Sequence, residues 1–384
     1  MGDGTGVAGG VGSGGTGVSG DGTGSGGTGA AASAVGIGSV DGFGSIIVND
    51  THWNIDNATV LIVDGTELKL GMSVRVAGTV SADRTRGTAT SVVSAAELRG
   101  QPSRANARAG TFEVMGIQVL TDESTVYEGL AGIGSFNNGT VVQVYGLPGA
   151  TGQLLATRVE RRTGAGETPI VTGAITQLNT TTRTFRLGSL TVSYAAASFA
   201  SGLSQASLVN GQIVRVRANK DPAAGVLAAA SVSLWYEVGP TANGTRLSLS
   251  GLVSDFASQS NFRVQGMSVN GAQANVAGGP ARALANGARV EVSGTLVNGV
   301  LVLDKLRLRG RAAEAEATVY SVSGNITQFR SLADFRVQGQ VIDASSAKLV
   351  DGTAAQVTRG RRVTVTGTRM AEDVLIAETL SLLD

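Results

Sequence analysis

The chain has 384 residues, of which 56 are glycine, and it contains one histidine and no cysteine. Thirty Lys and Arg against 29 Asp and Glu give a net charge of +1, so no overall field attracts nucleic acid or an anionic membrane. The lack of cysteine excludes disulfides, zinc–thiolate sites, iron–sulfur clusters and thiol nucleophiles, whereas a hydrophobic fraction of 42% supplies enough apolar material for packed cores.

The first predicted element is a flexible tether over residues 1–34. This stretch is almost entirely Gly, Ser, Thr, Ala and Val, and 15 of its first 30 residues are glycine. Glycine loses the most backbone entropy on ordering, and few side chains are present to offset that loss. A glycine-rich calcium coil is the alternative, but only Asp3 and Asp21 could supply carboxylates.

After the tether, one sequence marker occurs five times: an apolar residue followed by x-x-G-x-x-V-x-V-x-G. Valines two positions apart lie on one face of a strand, and the residue between them lies on the other face. The bracketing glycines predict a turn before this strand and a bend or bulge after it. The first glycines lie 68, 72, 76 and 73 residues apart, which sets the repeat length. The markers start at Leu68, Phe136, Leu208, Leu284 and Val357, with Ala218 replacing the last glycine of the third copy.

Other strand patterns accompany each marker in the same order. An F-x-V-x-G block predicts a hairpin ahead of it. Leu-rich segments predict a further strand after it, so each unit holds about five or six short strands. The hairpin blocks begin at Phe112, Phe262 and Phe335, with a shorter form at Phe185 and a degenerate one near Phe43.

These units predict an all-β protein of five tandem small OB-like β-barrels after the flexible Gly-rich segment. A short-stranded unit of ~70 residues leaves open sheet edges unless it closes on itself. Short links between units predict a beaded rod. The predicted repeats are repeat 1 (35–100), repeat 2 (101–165), repeat 3 (166–240), repeat 4 (241–311) and repeat 5 (312–384).

The marker, hairpin and Leu-rich blocks together resemble a bacterial family catalogued as domain of unknown function number fifty-six sixty-six. The resemblance covers residues 35–384. Members of this family typically look like secreted or lipid-anchored proteins of Gram-negative bacteria. The resemblance therefore implies a cell-envelope or extracellular location, with this chain as a mature form lacking its signal peptide; a cytoplasmic relative is the alternative. It implies no assigned activity.

Residues that could carry catalysis are few. His52 is the one side chain with an ordinary pKa near neutrality, and we interpret it as a partly exposed structural histidine because the other repeats have none. Carboxylates such as Glu97 and Glu128 are scattered without a common pair, which favours surface groups over a glycosidase site. We therefore predict no enzyme activity, no cofactor and no metal site.

The aromatic and arginine residues are the remaining candidates for binding. The phenylalanines of the hairpin blocks are in phase with the inward valines, so we assign them to cores rather than to nucleic-acid stacking. Guanidinium groups suit carboxylate, sulfate or phosphate, so a face rich in arginine would bind an acidic polysaccharide or lipid headgroups; surface cations neutralised by nearby acids are the alternative. The possible anion-binding residues are Arg158, Arg161, Arg162, Arg307, Arg309, Arg311, Arg359, Arg361 and Arg362.

The leading functional hypothesis is a non-enzymatic cell-envelope or extracellular protein that serves as a structural, adhesion or assembly module. Core residues recur between the repeats, whereas no set of reactive side chains does. This pattern is expected when the repeats serve a structural role and not a chemical one. The alternative is a binding module for an anionic polysaccharide or nucleic acid through surface Arg clusters. Expected partners are other copies of the chain, through edge strands or the N-terminal segment, an envelope protein or a surface polysaccharide; no transmembrane segment is predicted.

Overall fold

The structure is a computed structural model that describes residues 31–164, 167–200, 202–236, 242–310 and 317–383. The protein is all-β, with 57% strand and 4% helix. Of the segment predicted as a tether, residues 1–30 lie outside the described residues, and residues 32–34 belong to the first strand.

The strands follow the repeats along the chain. Repeat 1 contains β1 (Ala32–Ser39), β2 (Gly42–Phe43), β3 (Ile46–Val48), β4 (Thr51–Asn54), β5 (Thr59–Ile62), β6 (Ser73–Val80) and β7 (Arg86–Ser94), and it ends with β8 (Leu98–Gly100). Repeat 2 contains β9 (Pro102–Asn106), β10 (Thr111–Val114), β11 (Ile117–Leu120), β12 (Val126–Glu128), β13 (Val141–Pro148) and β14 (Gln153–Arg162). Repeat 3 contains β15 (Ile170–Asn179), β16 (Thr184–Leu187), β17 (Leu190–Ser193), β18 (Ser198–Phe199), β19 (Ile213–Ala218) and β20 (Val226–Leu234).

The last two repeats have the same order of elements. Repeat 4 contains β21 (Arg246–Ser258), β22 (Asn261–Val264), β23 (Met267–Asn270), β24 (Asn275–Ala277), β25 (Arg289–Val297) and β26 (Val300–Arg309). Repeat 5 contains β27 (Tyr320–Ser331), β28 (Asp334–Val337), β29 (Gln340–Asp343), β30 (Lys348–Val350), β31 (Arg362–Gly367), β32 (Arg369–Ala371), β33 (Val374–Ile376) and β34 (Thr379–Leu382). Single 3₁₀ turns precede the marker strands of repeats 2 to 5, at Ile133–Ser135, Gln205–Ser207, Ala281–Ala283 and Ala354–Gln356.

The marker strand forms as the sequence predicts. Its two valines are buried in every repeat. The first glycine has a positive φ of +80° to +88° in all five copies, a conformation that favours glycine. The ladder shifts register at the last glycine in repeats 1, 2 and 4, and at Ala218 in repeat 3. The predicted turn and bulge are therefore confirmed. These marker strands are β6, β13, β19, β25 and β31.

The predicted hairpins also form. In repeats 2, 4 and 5 they are β10–β11, β22–β23 and β28–β29, each an antiparallel pair. Their two central turn residues both have positive φ, as in Met115-Gly116 and Gln265-Gly266, which matches the right-handed twist of the strands. The phenylalanines that open these blocks are buried as predicted.

The prediction of five separate OB-like barrels is wrong, because the strands form a β-solenoid of about 10 turns. Sheets run across the repeat boundaries: one sheet of 21 strands joins repeats 1, 4 and 5, and one of 13 strands joins β8 with repeats 2 and 3. Strand β1 pairs in parallel with β21, and β2 pairs in parallel with β27. Repeats that are adjacent in space thus cover strand edges that were predicted to be closed within each single unit.

The apolar cores are shared in the same way. One core combines repeat 2 with repeat 3, including Phe112 and Phe185, and a second combines repeat 1 with repeat 5, including Trp53 and Phe335. A third core is centred on repeat 4 and takes in Ile37 of repeat 1. A beaded rod, in which each repeat contacts only its neighbours along the chain, is therefore also wrong: repeat 1 pairs with repeats 4 and 5.

Candidate functional site

The buried charged side chains of the described residues lie where repeats meet. We define the first junction by Asp64, Glu97 and Arg99 of repeat 1, Gln143 of repeat 2, and Arg215 and Arg217 of repeat 3. Asp64 follows β5, Arg99 lies on β8, and the other repeats contribute residues of the marker strands β13 and β19. Because the marker valines fill the cores, their neighbours on the opposite strand face are directed to this junction.

Asp64 joins repeats 1 and 3. It accepts hydrogen bonds from Arg217 Nη1 at 2.8 Å and Arg217 Nη2 at 2.7 Å, and from Arg99 Nη2 at 3.2 Å. Its second oxygen also accepts the Ala96 backbone N–H at 3.0 Å. Burial opposes ionisation, but the two arginines and this N–H together lower the pKa of Asp64. Asp64 is therefore a charged anchor held by a two-point guanidinium contact.

Glu97 is fully buried and accepts four hydrogen bonds. The donors are Arg215 Nη2 at 3.2 Å, Trp235 Nε1 at 3.0 Å, the Gly146 N–H at 2.8 Å and Ser73 Oγ at 2.9 Å. These donors come from all three repeats of the junction. Burial nevertheless raises the pKa of Glu97 to about 7, against the lowering effect of Arg215 and the other donors.

Gln143 of repeat 2 connects Arg99 and Asp64 of repeat 1 to Glu160 through its amide. Its Oε1 accepts from Arg99 Nε at 2.9 Å, and its Nε2 donates to the Asp64 backbone oxygen at 2.9 Å and to Glu160 Oε2 at 3.1 Å. The amide therefore serves as donor and acceptor at once, which satisfies a buried position that no charged side chain could fill equally.

Arg158 links repeat 2 to repeat 5 and is completely buried. Its Nε donates to Glu160 at 2.6 Å, and its Nη1 donates to Asp373 at 2.8 Å and to the Leu70 backbone oxygen at 3.0 Å. Its Nη2 pairs with Glu128. Burial disfavours the charged form, but the surrounding carboxylates raise the pKa of Arg158.

A second junction joins repeats 1 and 4, and we define it by Asp41, Asp50, Glu291, Arg289 and Arg309. Asp50 pairs with Arg309 at 2.9 Å, and also with Lys305 and Arg307 at 2.7 Å each. Glu291 pairs with the same Arg309 at 2.9 Å. Burial and the nearby Glu291 charge raise the pKa of Asp41 to about 7. Arg289 also forms an ion pair with Asp122 of repeat 2, at 2.9 Å.

The structure does not bring the eight described members of the predicted anion-binding arginines together on one surface. Arg158 and Arg309 are buried in ion pairs, so their assignment to surface clusters is wrong; a second repeat covers each of them. Arg307 pairs with Asp50, and Arg162 pairs with Glu167 at 3.0 Å. Arg311 lies outside the described residues. Arg161, Arg359 and Arg362 are exposed, and Arg361 is partly buried.

Arg161 and Arg162 line a polar cavity of about 420 Å³ beside the first junction. Its charged lining consists of Asp64, Glu67, Glu128, Glu160 and Glu167 against Lys69, Arg99, Arg161 and Arg162. Five acids against four bases leave no excess of positive charge for an anion.

The remaining candidates have simple surroundings. His52 is exposed on β4, with Nδ1 at 3.4 Å from Ser45 Oγ. Within the described ranges, no three His, Cys, Asp or Glu side chains are grouped so as to hold a metal ion. No helix in the described part of the chain is long and apolar enough to cross a membrane.

Sequence reasoning missed the junction residues Gln143, Arg215 and Glu291, which lie between the marker valines. The alternation of the strand places them on the face opposite the valines, but it does not predict what that face contacts. All three are buried. The available signal was the presence of charged or amide side chains at equivalent positions, but their partners are far away in sequence, as with Glu97 and Arg215.

The family described as a domain of unknown function, DUF5666, matches residues 37–92, 103–160, 172–233 and 250–302, which together exceed half of the chain. The four matched segments lie in repeats 1 to 4. No curated protein and no solved structure matches the chain.

Proposed function

We propose, from the premise that the chain belongs to the DUF5666 family of unknown function, that it is a non-enzymatic structural module of the cell envelope or extracellular space. Its role is to hold five repeats as one rigid body that spaces or assembles other components. The observation that carries this proposal is the use of charged side chains to connect repeats distant in sequence. Asp64 binds Arg217, Asp50 binds Arg309, and Arg158 binds Asp373.

In each of these ion pairs one partner is buried, which supports a fixed arrangement of the repeats. Removing one partner of a buried pair costs about 3–5 kcal/mol, since the other charge stays buried without compensation. Any motion that separates repeat 1 from repeat 3 must expose or break the contacts of both Asp64 and Glu97. The location in the envelope rests on the family resemblance described above and not on the geometry.

The two tryptophans provide a direct test of the rigid-body proposal. Trp53 is buried in repeat 1 and Trp235 in repeat 3. Trp53→Phe and Trp235→Phe each leave one reporter, and we expect the urea unfolding curves of the two variants to coincide with each other and with far-UV circular dichroism after normalisation. Separate transitions for the two reporters would contradict the proposal. Fractionation of the native host tests location, and recovery in the cytosol alone would contradict it.

A binding module for an anionic polysaccharide or nucleic acid is the second candidate. Exposure of Arg161, Arg359 and Arg362 favours it. It predicts retention on immobilised heparin or single-stranded DNA that decreases steeply with added salt. Retention should also weaken when Arg161, Arg359 and Arg362 are all replaced by alanine. Failure to bind either column at low salt would exclude this function for these arginines.

A further inference from the structure

We infer that β5 of repeat 1 is a self-association edge, at which two copies of the chain pair their β5 strands antiparallel about a two-fold axis. The inference extends the proposed structural role by naming an assembly contact, but it does not depend on the rigidity of the repeats. It starts from the clustering of exposed apolar residues: Val60, Leu61 and Val63 are 40%, 53% and 47% exposed.

The strand has one occupied edge. It pairs with β7 in parallel from Thr59 to Ile62, and its register has no bulge. Among the described residues, no other ladder to β5 is formed. Residues 59–63 contain no charge, proline or glycine. Charges, prolines and bulges are among the devices that protect an edge strand from pairing with another chain, and β5, although only four residues long, has none of these three.

The strand of repeat 2 that is equivalent to β5 is covered by other repeats. Strand β12 also pairs in parallel with the last strand of its repeat. Its first residue, Val126, is fully buried because it packs close to Gly71 of repeat 1, and β12 also contacts β32 of repeat 5. Within the described part of the chain, β5 pairs with β7 alone, and Val60, Leu61 and Val63 are exposed in a single copy.

The sequence around β5 fits a second copy of the same strand. In an antiparallel pair centred on Leu61, Leu61 faces Leu61, Val60 faces Ile62 and Thr59 faces Val63. Apolar and β-branched cross-strand pairs of this kind stabilise sheets.

The flanking charges do not oppose one another in this register. Asp56 faces Thr66, Asp64 faces Ala58, and Glu67 faces Ile55. Like charges directly opposite would destabilise the pair, so their absence favours this two-fold arrangement. The net charge of +1 also leaves little repulsion between two copies. A single short strand pair buries less than the ~1,200 Å² of a standard stable interface, so we expect a weak, concentration-dependent dimer.

Sedimentation of the full chain over a wide concentration range tests the association. We expect reversible dimerisation, lost in Leu61→Lys and separately in Leu61→Glu because like charges then face each other across the axis. An equimolar mixture of these two variants should dimerise again, since Lys then faces Glu. Val297→Lys, at an exposed valine of repeat 4, is the matched control and should dimerise like the unmodified chain.

Oxidative cross-linking tests the register. The chain has no cysteine, so Leu61→Cys introduces the one thiol, and directly opposed Cβ atoms of an antiparallel pair lie within reach of a disulfide. We expect a covalent dimer from Leu61→Cys and little from Val297→Cys.

Three results would overturn the inference: a monomer at all concentrations, a dimer unaffected by Leu61→Lys, or no rescue in the mixed variants. Circular dichroism and the unfolding midpoint of each variant confirm that it is folded. The rigid-body proposal fails instead on separate tryptophan transitions, so the two failures are distinguishable.

Discussion

The marker strands of repeats 3 and 5 have the same inner face and different outer faces. In β19, Val214 and Val216 are fully buried, as are Val363 and Val365 in β31. On the opposite face of β19, Arg215 binds Glu97 and the backbone oxygens of Ala95 and Ala96 in repeat 1.

Strand β31 uses its opposite face differently. Thr364 bonds Ser323 at 2.7 Å, and Thr366 bonds Thr379 at 2.5 Å, so these contacts stay within repeat 5. The repeated valines therefore build each core, whereas the residues between them decide whether a repeat is joined to others.

The largest expected difference concerns Arg215. Arg215→Ala leaves Glu97 buried without its arginine, and we expect a loss of about 3–5 kcal/mol in the free energy of unfolding. Thr364→Ala, at the equivalent position of β31, removes one partly buried hydroxyl bond and should cost about 1 kcal/mol. Urea denaturation measures both.

Equal losses in the two variants would contradict the claim that the outer face of β19 joins repeats while that of β31 does not. If Arg215→Ala does not fold, the double variant Arg215→Met with Glu97→Met gives a second measurement. It should recover part of the stability, because no buried charge then remains unpaired.

Glu97 at the junction bound by β19 should make stability depend on pH. The pKa of Glu97 rises from 4.5 to about 7 on folding, chiefly through burial. The native state therefore binds more protons than the unfolded state between these values, so the contribution of Glu97 to stability falls as pH rises through this window and levels off above it. The slope is at most about 1.4 kcal/mol per pH unit. In Glu97→Gln this contribution is absent, so the variant should gain stability relative to the unmodified chain as pH rises.

Asp343 of repeat 5 is the control of opposite sign. Hydrogen bonds from the side chain and backbone of Ser345 lower the pKa of Asp343, which is partly exposed. Its contribution is present above its ordinary pKa and is lost on acidification, so Asp343→Asn should lower stability at neutral pH by an amount that shrinks as pH falls below about 4. A flat difference between Glu97→Gln and the unmodified chain from about pH 4 to about pH 8 would contradict the assignment for Glu97.

The smallest expected contrast lies between the two cores. Val216→Ala and Val365→Ala each remove two buried methyl groups and should each cost about 2 kcal/mol. Because the inner faces of β19 and β31 are equivalent, thermal or urea unfolding should give similar losses for the two variants. A loss confined to repeat 3 would show that the valines are not equivalent in packing.

Sequence reasoning succeeded where the determinant is local. The alternation of valines, the positive-φ glycine at Gly287 and the hairpin turn at Gln265-Gly266 follow from side-chain period and backbone sterics within a few residues. It was wrong on the barrels, because the pairing of β1 with β21 joins residues about 200 positions apart. It was also wrong on Arg158 and Arg309, whose acidic partners come partly from other repeats.

Strand periodicity and glycine conformation are encoded locally, so the all-β class, the repeat length and the inward face of each marker strand could be predicted from the sequence. The sharing of sheets and cores between repeats, and the burial of Arg158 and Arg309, depend on contacts between distant parts of the chain. A side chain on the outer face of a strand is equally compatible with water or with an ion pair. Its environment depends on whether another part of the chain covers it, as repeat 3 and β8 cover Asp64 while β5 beside it stays exposed.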